Sequence, residues 1–215
     1  MQSYSSCTSS APPAALDRLG DLAWSGVPGE MMRWLARDGG TDARLPVGSV
    51  CHVEGMEMDA IVLLREDHKT VEKLFKRFER TGDDDLGERR SIVDEVIQEL
   101  TVHACIEERI FYPAAREAAP KTTDHILESI EEHHAVVWML SELKDMDPAD
   151  ERFKAKMTVL MENVRHHVEE EEKEWFPDVR KAMGRNRLTE VGEQLEAEKS
   201  KASRDPLAVP SAAGK

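Results

Sequence analysis

The chain has 215 residues, enough for one ordinary domain with extensions or for two small ones. A 40% hydrophobic share supplies a core, while 33% charged residues and a formal charge of −14 surround it with an acidic, self-repelling surface. That charge argues against nucleic acid, whose phosphates attract Lys and Arg. No apolar run approaches the ~18 residues of a membrane-spanning helix.

Residues 1–57 read as a flexible or misassigned N-terminal extension. "SYSSCTSSAPP" and "ARDGGTDARLPVGS" are loop compositions, and "GEMMRWLAR" alone could make a short helix. Met56 or Met58 is the expected natural start. The first twenty residues lack the basic start and apolar stretch of a signal peptide. Three widely spaced cysteines, Cys7, Cys51 and Cys105, suit a reducing interior better than a disulfide framework, so the expected location is cytoplasmic.

From Asp59 onward the periodicity is helical throughout. Asp59 is placed to cap a first helix that runs to Arg80 and stops at Thr81-Gly82. A second helix covers residues 88–118 and ends before Pro120; a third spans 123–144. Asp147-Pro148 is expected to open a fourth, as an N-cap followed by proline, which Gly184 then ends. Four long amphipathic segments with short connections predict an all-α, up-down-up-down four-helix bundle over residues 58–184. Residues 185–215 follow as a short helix, "LTEVGEQLEAEKSK", and a loose tail.

An internal repeat directs attention to one place. "HACIEERIFYP" (103–113) lies over "HVEEEEKEWFP" (167–177), pairing His103 with His167, Glu107 with Glu171, Glu108 with Glu172 and Pro113 with Pro177 at an offset of 64. Upstream, "EDHKTVEKLF" over "EEHHAVVWML" pairs His68 with His133 at an offset of 65. The bundle therefore reads as two similar hairpins, each supplying one lone histidine and one H-x-x-x-E.

Residues three, four and seven apart share a helix face. His68 falls with Ile61, Leu64, Val71 and Phe75, and His103 with Val96, Leu100, Glu107 and Ile110. His133 falls with Ile126, Ile130, Val136 and Leu140, and His167 with Leu160, Val164 and Glu171. Four histidines and two glutamates thus point inward with apolar residues. A buried imidazole or carboxylate is costly unless paired or bound to metal.

A single H-x-x-x-E in an acidic helix is usually a surface ion pair. Two matched copies with two inward histidines reverse that reading. Imidazole and carboxylate donors without thiolates suit first-row transition metals, iron prominently, and six ligands exceed one tetrahedral site. They fit two metals sharing carboxylates. Glu108 and Glu172 lie ~100° round the helix, as solvated groups or as groups supporting the ligands. His134, His166, His125 and His52 read as solvated or supporting residues, Cys105 as a packed thiol, Phe111 and Trp175 as core, and Pro113 and Pro177 as structural markers that kink or end their helices.

The constellation resembles the hemerythrin-like family, the HHE cation-binding domain, across residues 59–183. The likeness rests on H…HxxxE…H…HxxxE with both E-E-x-x-x-aromatic-Pro extensions. It implies a non-haem di-iron centre with His68, His103, His133 and His167 as terminal ligands and Glu107 and Glu171 as bridges. It also implies small-molecule partners such as O2, peroxide or NO, with catalase-like peroxide decomposition among the family's activities and a place in oxidative stress. Oxygen-carrying members have a fifth histidine one turn after the ligand on the third helix; here Val137 stands there, which weighs against simple oxygen carriage. The alternative is a metal- or oxygen-responsive regulatory module without turnover. No protein partner is legible.

Overall fold

The structure is a computed structural model that describes residues 59–202. The expected N-terminal extension and the end of the tail lie outside the described residues. Asp59 caps α1 (Ala60–Arg80) as anticipated, its carboxylate accepting the Val62 N–H at 2.9 Å. Asp85 caps α2 (Leu86–Ile106) through the Glu88 N–H, two residues earlier than the sequence predicts. After α2 come a π turn (Glu107–Phe111), α3 (Tyr112–Ala118), a 3-10 turn (Pro120–Thr122) and α4 (Thr123–Asp145). Then follow α5 (Phe153–Glu170), a second π turn (Glu171–Trp175) and α6 (Phe176–Lys199), which breaks at Gly184.

Two expectations need correction. Asp147-Pro148 does not open the fourth rod. Asp147 accepts the Ala149 N–H at 2.9 Å and Asp150 accepts the Arg152 N–H at 2.8 Å. These successive side-chain turns delay the helix to Phe153. Of the two outcomes expected at Pro113 and Pro177, a kink or an end, the end does not occur: the α-helix resumes at Tyr112 and at Phe176. Proline lacks an N–H and its ring clashes with the carbonyl four residues back. Here each proline is preceded by a widened turn, in which the Tyr112 N–H reaches the Glu107 carbonyl and the Phe176 N–H that of Glu171. That wider spacing lets the chain resume as α3 and α6.

The four rods are α1, α2–α3, α4 and α5–α6 up to Gly184, where φ 69° and ψ 175° leave the helical region. The left-handed φ is one that glycine adopts without strain. The remainder of α6 folds back, burying Leu188, Val191 and Leu195. Two apolar layers fill the bundle. One joins Val71, Phe75, Leu100, Leu140 and Leu160; the other joins Ile61, Leu64, Phe111, Tyr112, Trp175 and Leu195. On every rod the inward polar residues fall between these layers. Each fully buried Leu, Ile or Phe contributes about 1.5–3 kcal/mol, so the layers offset the desolvation of the polar stratum between them. Among the described residues, no helix is long and apolar enough to cross a membrane.

Candidate metal centre

All six residues singled out from the sequence meet in that stratum. Glu107 and Glu171 are 0% exposed, and the four histidines are 4–7% exposed. Each glutamate opens a π turn one helical turn after its histidine. The ring nitrogens meet in two pairs: His68 Nε2 lies 3.1 Å from His103 Nε2, and His133 Nε2 lies 3.2 Å from His167 Nε2. The glutamates join the pairs. Glu107 Oε2 is 3.2 Å from His103 Nε2 and 3.4 Å from His133 Nε2. Glu171 Oε2 is 3.3 Å from His68 Nε2 and 3.6 Å from His167 Nε2. Two sets with ligand atoms within 4.8 Å of one another result: His68, His103, Glu107 and Glu171, and Glu107, His133 and His167.

The outward ring nitrogens explain why the Nε2 atoms can face each other. Each rod supplies an acid to the histidine of the next. Asp67 faces His103 Nδ1 at 3.6 Å, Glu108 faces His133 Nδ1 at 2.9 Å, Glu132 faces His167 Nδ1 at 2.7 Å, and Glu172 faces His68 Nδ1 at 2.8 Å. The ring of acids closes around the bundle. A carboxylate accepts, so at 2.7–2.9 Å the three glutamates favour a proton on Nδ1, and in the neutral ring Nε2 is then a lone pair aimed inward; Asp67 at 3.6 Å is beyond hydrogen-bond reach. Glu108 and Glu172 are therefore supporting acids, as their helix angle allowed. Asp67 and Glu132 were missed. Their signal was present, since an acid precedes each lone histidine in "EDH" and "EEH".

Tyr112 was missed as well. Its hydroxyl donates to Glu171 Oε1 at 3.1 Å and to Glu107 Oε2 at 3.3 Å, and lies 3.4 Å from His133 Nε2. Burial, then the neighbouring Glu107 and Glu171 carboxyls, push its phenol well above the usual value, so it remains a donor.

The protein groups alone hold a split charge. Burial and the charge of Glu171 raise Glu107 well above the carboxylate range. Burial pushes Glu171 the same way, but His167, His68 and His103 outweigh it and hold it at about 2. Burial opposes a charge on His68, yet Glu171 and Glu172 lift it to about 9; burial takes His103 down to about 4. Glu107 Oε1 and Glu171 Oε2 are buried without a hydrogen bond. Buried carboxylate oxygens without a hydrogen bond, facing four imidazole Nε2 atoms and free of thiolate, fit first-row cations. Metal binding at such a site displaces protons.

A cavity of about 240 Å3 reaches the four imidazoles from the side of the first apolar layer. Val71, Phe75, Leu100, Val136 and Val164 line it. Val136, not Val137, is the third-rod valine in its wall. Arg165 lies at the partly exposed rim, paired with Glu72 at 2.9 Å and Glu79 at 2.8 Å, its guanidinium 5.6 Å from the Phe75 ring centre.

The remaining histidines stay out of the centre. His166 is exposed beside Glu170, His134 pairs with Glu131 at 3.4 Å, and His125 is partly exposed. His52 lies outside the described residues. Cys105 is buried and free, and Phe111 and Trp175 are core.

The family model described as "Hemerythrin HHE cation binding domain" matches residues 59–179. A protein named "DNA nickase" from Nostoc sp. (strain PCC 7120 / SAG 25.82 / UTEX 2576) is 25% identical over 145 residues, which are 67% of this chain and 40% of that protein. The chain thus spans about two fifths of the curated relative it matches. A crystal structure of a hemerythrin HHE cation binding domain-containing protein from Mycobacterium kansasii superposes with a TM-score of 0.58 and 24% identity, covering 67% of this chain and 86% of that one. The likeness to that crystal structure is one of fold.

Proposed function

The chain belongs to the hemerythrin HHE cation-binding family, and on that premise we propose that it is a non-haem di-iron protein that reacts with or senses O2, peroxide or NO. His68 and His103 would hold one iron and His133 and His167 the other, with Glu107 and Glu171 available to both. One observation carries the reading: two inward imidazole pairs joined by two fully buried glutamates, each with an oxygen lacking a hydrogen bond. A bound iron pair would supply redox chemistry and bind a small ligand.

The chain's own residues do the rest. Glu172, Glu108 and Glu132 orient His68, His133 and His167 through Nδ1, and the Tyr112 hydroxyl reaches both Glu107 and Glu171. The apolar cavity keeps bulk water away from the imidazole edges while admitting small molecules. The Nostoc protein's name concerns that longer protein. With a formal charge of −14, nucleic acid is no part of this proposal. We retain the cytoplasm as the setting, on the odd and scattered cysteines.

Metal analysis with an optical spectrum of protein purified aerobically is the direct test. About two irons per chain with near-ultraviolet charge-transfer absorption are expected from six N/O ligands. One tightly held zinc, with no iron uptake on reconstitution, would end the reading.

A further inference from the structure

We propose that Lys199, on the part of α6 that follows Gly184, is a positioning residue for the metal site, acting through Asp67 on His103. The inference rests on the di-iron reading above for its consequence, though not for its geometry.

His103 has the longest outer contact of the four imidazoles. Its three counterparts hold their outer acids at 2.7–2.9 Å, whereas Asp67 Oδ2 stands 3.6 Å from His103 Nδ1 and neither atom has a hydrogen bond. Where Asp67 points therefore decides how His103 is held. The other oxygen of Asp67 is taken by the Lys199 ammonium. Asp67 is buried, and nothing else bonds its carboxylate through a side chain among the contacts described.

Lys199 is not a stray surface cation. Leu188, Val191 and Leu195 bury their side chains in the layer that holds Ile61 and Leu64. One residue before Lys199, Glu198 accepts from Arg109 at 2.8 Å, two positions past Glu107. Two adjacent residues at the end of the returning helix thus grip the chain beside two ligands of different rods. The returning helix lies beyond residues 59–179, so the family match does not account for it. An ordinary surface ion pair between exposed groups contributes little. This one ends on a buried carboxylate that faces a ligand, where partners of the ligand set its orientation and basicity.

The test uses the full chain and the variants Lys199→Gln, Lys199→Arg, Asp67→Asn and the Lys199→Gln/Asp67→Asn double change. Two readouts are taken: ring 15N resonances of the histidines in metal-free protein, and iron release to a chelator from loaded protein. Lys199→Gln should move the His103 resonances and leave those of His133 and His167 in place. It should speed iron release about three- to tenfold, less than the about 10–100-fold expected of Asp67→Asn itself. Lys199→Arg should restore both readouts, and Lys199→Gln should add nothing once Asp67 is Asn. Unmoved His103 resonances in Lys199→Gln overturn the proposal, as does an effect of equal size with and without Asp67. If wild-type protein takes up no iron pair, the di-iron reading fails by itself and the resonances alone decide the link.

Discussion

Tyr112 and Phe176 occupy matching places in the two halves of the bundle, and only one of them carries a hydroxyl. Tyr112 stacks on His133 with ring centres 5.7 Å apart, and Phe176 stacks on His68 at 6.2 Å. The phenol breaks an otherwise paired arrangement. Tyr112→Phe keeps the ring and should keep two irons. In metal-free protein it leaves two buried carboxylates short of a donor, a loss of about 1–3 kcal/mol. Melting should fall by about 2–4 °C per kcal/mol in a chain of this size. The drop should shrink when iron is loaded, because the cations then satisfy Glu107 and Glu171. An equal drop in both forms would reduce the hydroxyl to a packing group.

The carboxylates divide into two ranks. Glu107→Ala or Glu171→Ala removes a group shared by both imidazole pairs and should abolish stoichiometric iron binding. Glu108→Ala, Glu132→Ala and Glu172→Ala each release one outer nitrogen and should weaken iron by about 10–100-fold, the usual effect of losing such a partner. Chelator competition across the five variants checks the order. Equal losses would mean that the glutamates do not bridge.

Most of the centre was legible because its signal is periodic. His68, His103, His133, His167, Glu107 and Glu171 share their faces with core residues, and the repeat, at offsets of 64 and 65, doubles every clue. Asp59 and Gly184 were legible because capping and left-handed backbone have few residue solutions. What escaped depends on distance through space. Asp67 and Glu132 sit one residue before a ligand, off its face, and serve a histidine on the next rod. Tyr112 comes into reach because the π turn adds a residue between it and Glu107, which α-helical spacing does not anticipate. The delayed start at Phe153 reflects two competing aspartate turns that the Asp-Pro signal conceals.

The tandem histidines test the register of two rods at once. His133→Ala and His167→Ala should each lose iron, while His134→Ala and His166→Ala should hold it. A neighbour is turned ~100° on an α-helix and cannot reach the same ion. In the structure His167 is buried and His166 is 66% exposed along its side chain. Iron analysis after reconstitution of the four variants decides. Retention in His167→Ala with loss in His166→Ala would place the rod one residue out of register.

Asp59 couples the start of α1 to α6 and gives a pH signature away from the metal. Burial pushes its carboxyl up, but Arg180, bonded at 2.7 and 3.0 Å, and the Val62 N–H outweigh it and set it below the ordinary 3.8. A depressed folded value means stability that is present above the unfolded value and lost as pH falls through the folded one. Asp59→Asn keeps the cap and should lose only the Arg180 pair, about 0–1 kcal/mol. Asp59→Ala should lose about 0.5–2 kcal/mol for the cap as well. The gap between wild type and Asp59→Asn should close below the usual aspartate range. A constant gap down to the acid limit would detach the effect from this carboxylate.

The cavity over the imidazoles should admit apolar ligands and can be filled without touching a ligand residue. At about 240 Å3 it exceeds the roughly 150 Å3 at which apolar protein cavities stay dry and take up xenon or benzene. Ala104 lines it at 4% exposure. Ala104→Leu should occupy part of the space at an overpacking cost of about 1–3 kcal/mol. Xenon uptake, read by 129Xe resonance in metal-free protein, should fall. Arg165→Ala works at the other end, removing the guanidinium paired with Glu72 and Glu79 at the rim. It should quicken xenon exchange without changing capacity. In iron-loaded protein the same two changes should slow and speed NO binding respectively, with iron still at two per chain. NO binding that ignores both changes while xenon responds would route the ligand past the Tyr112 side of the site instead.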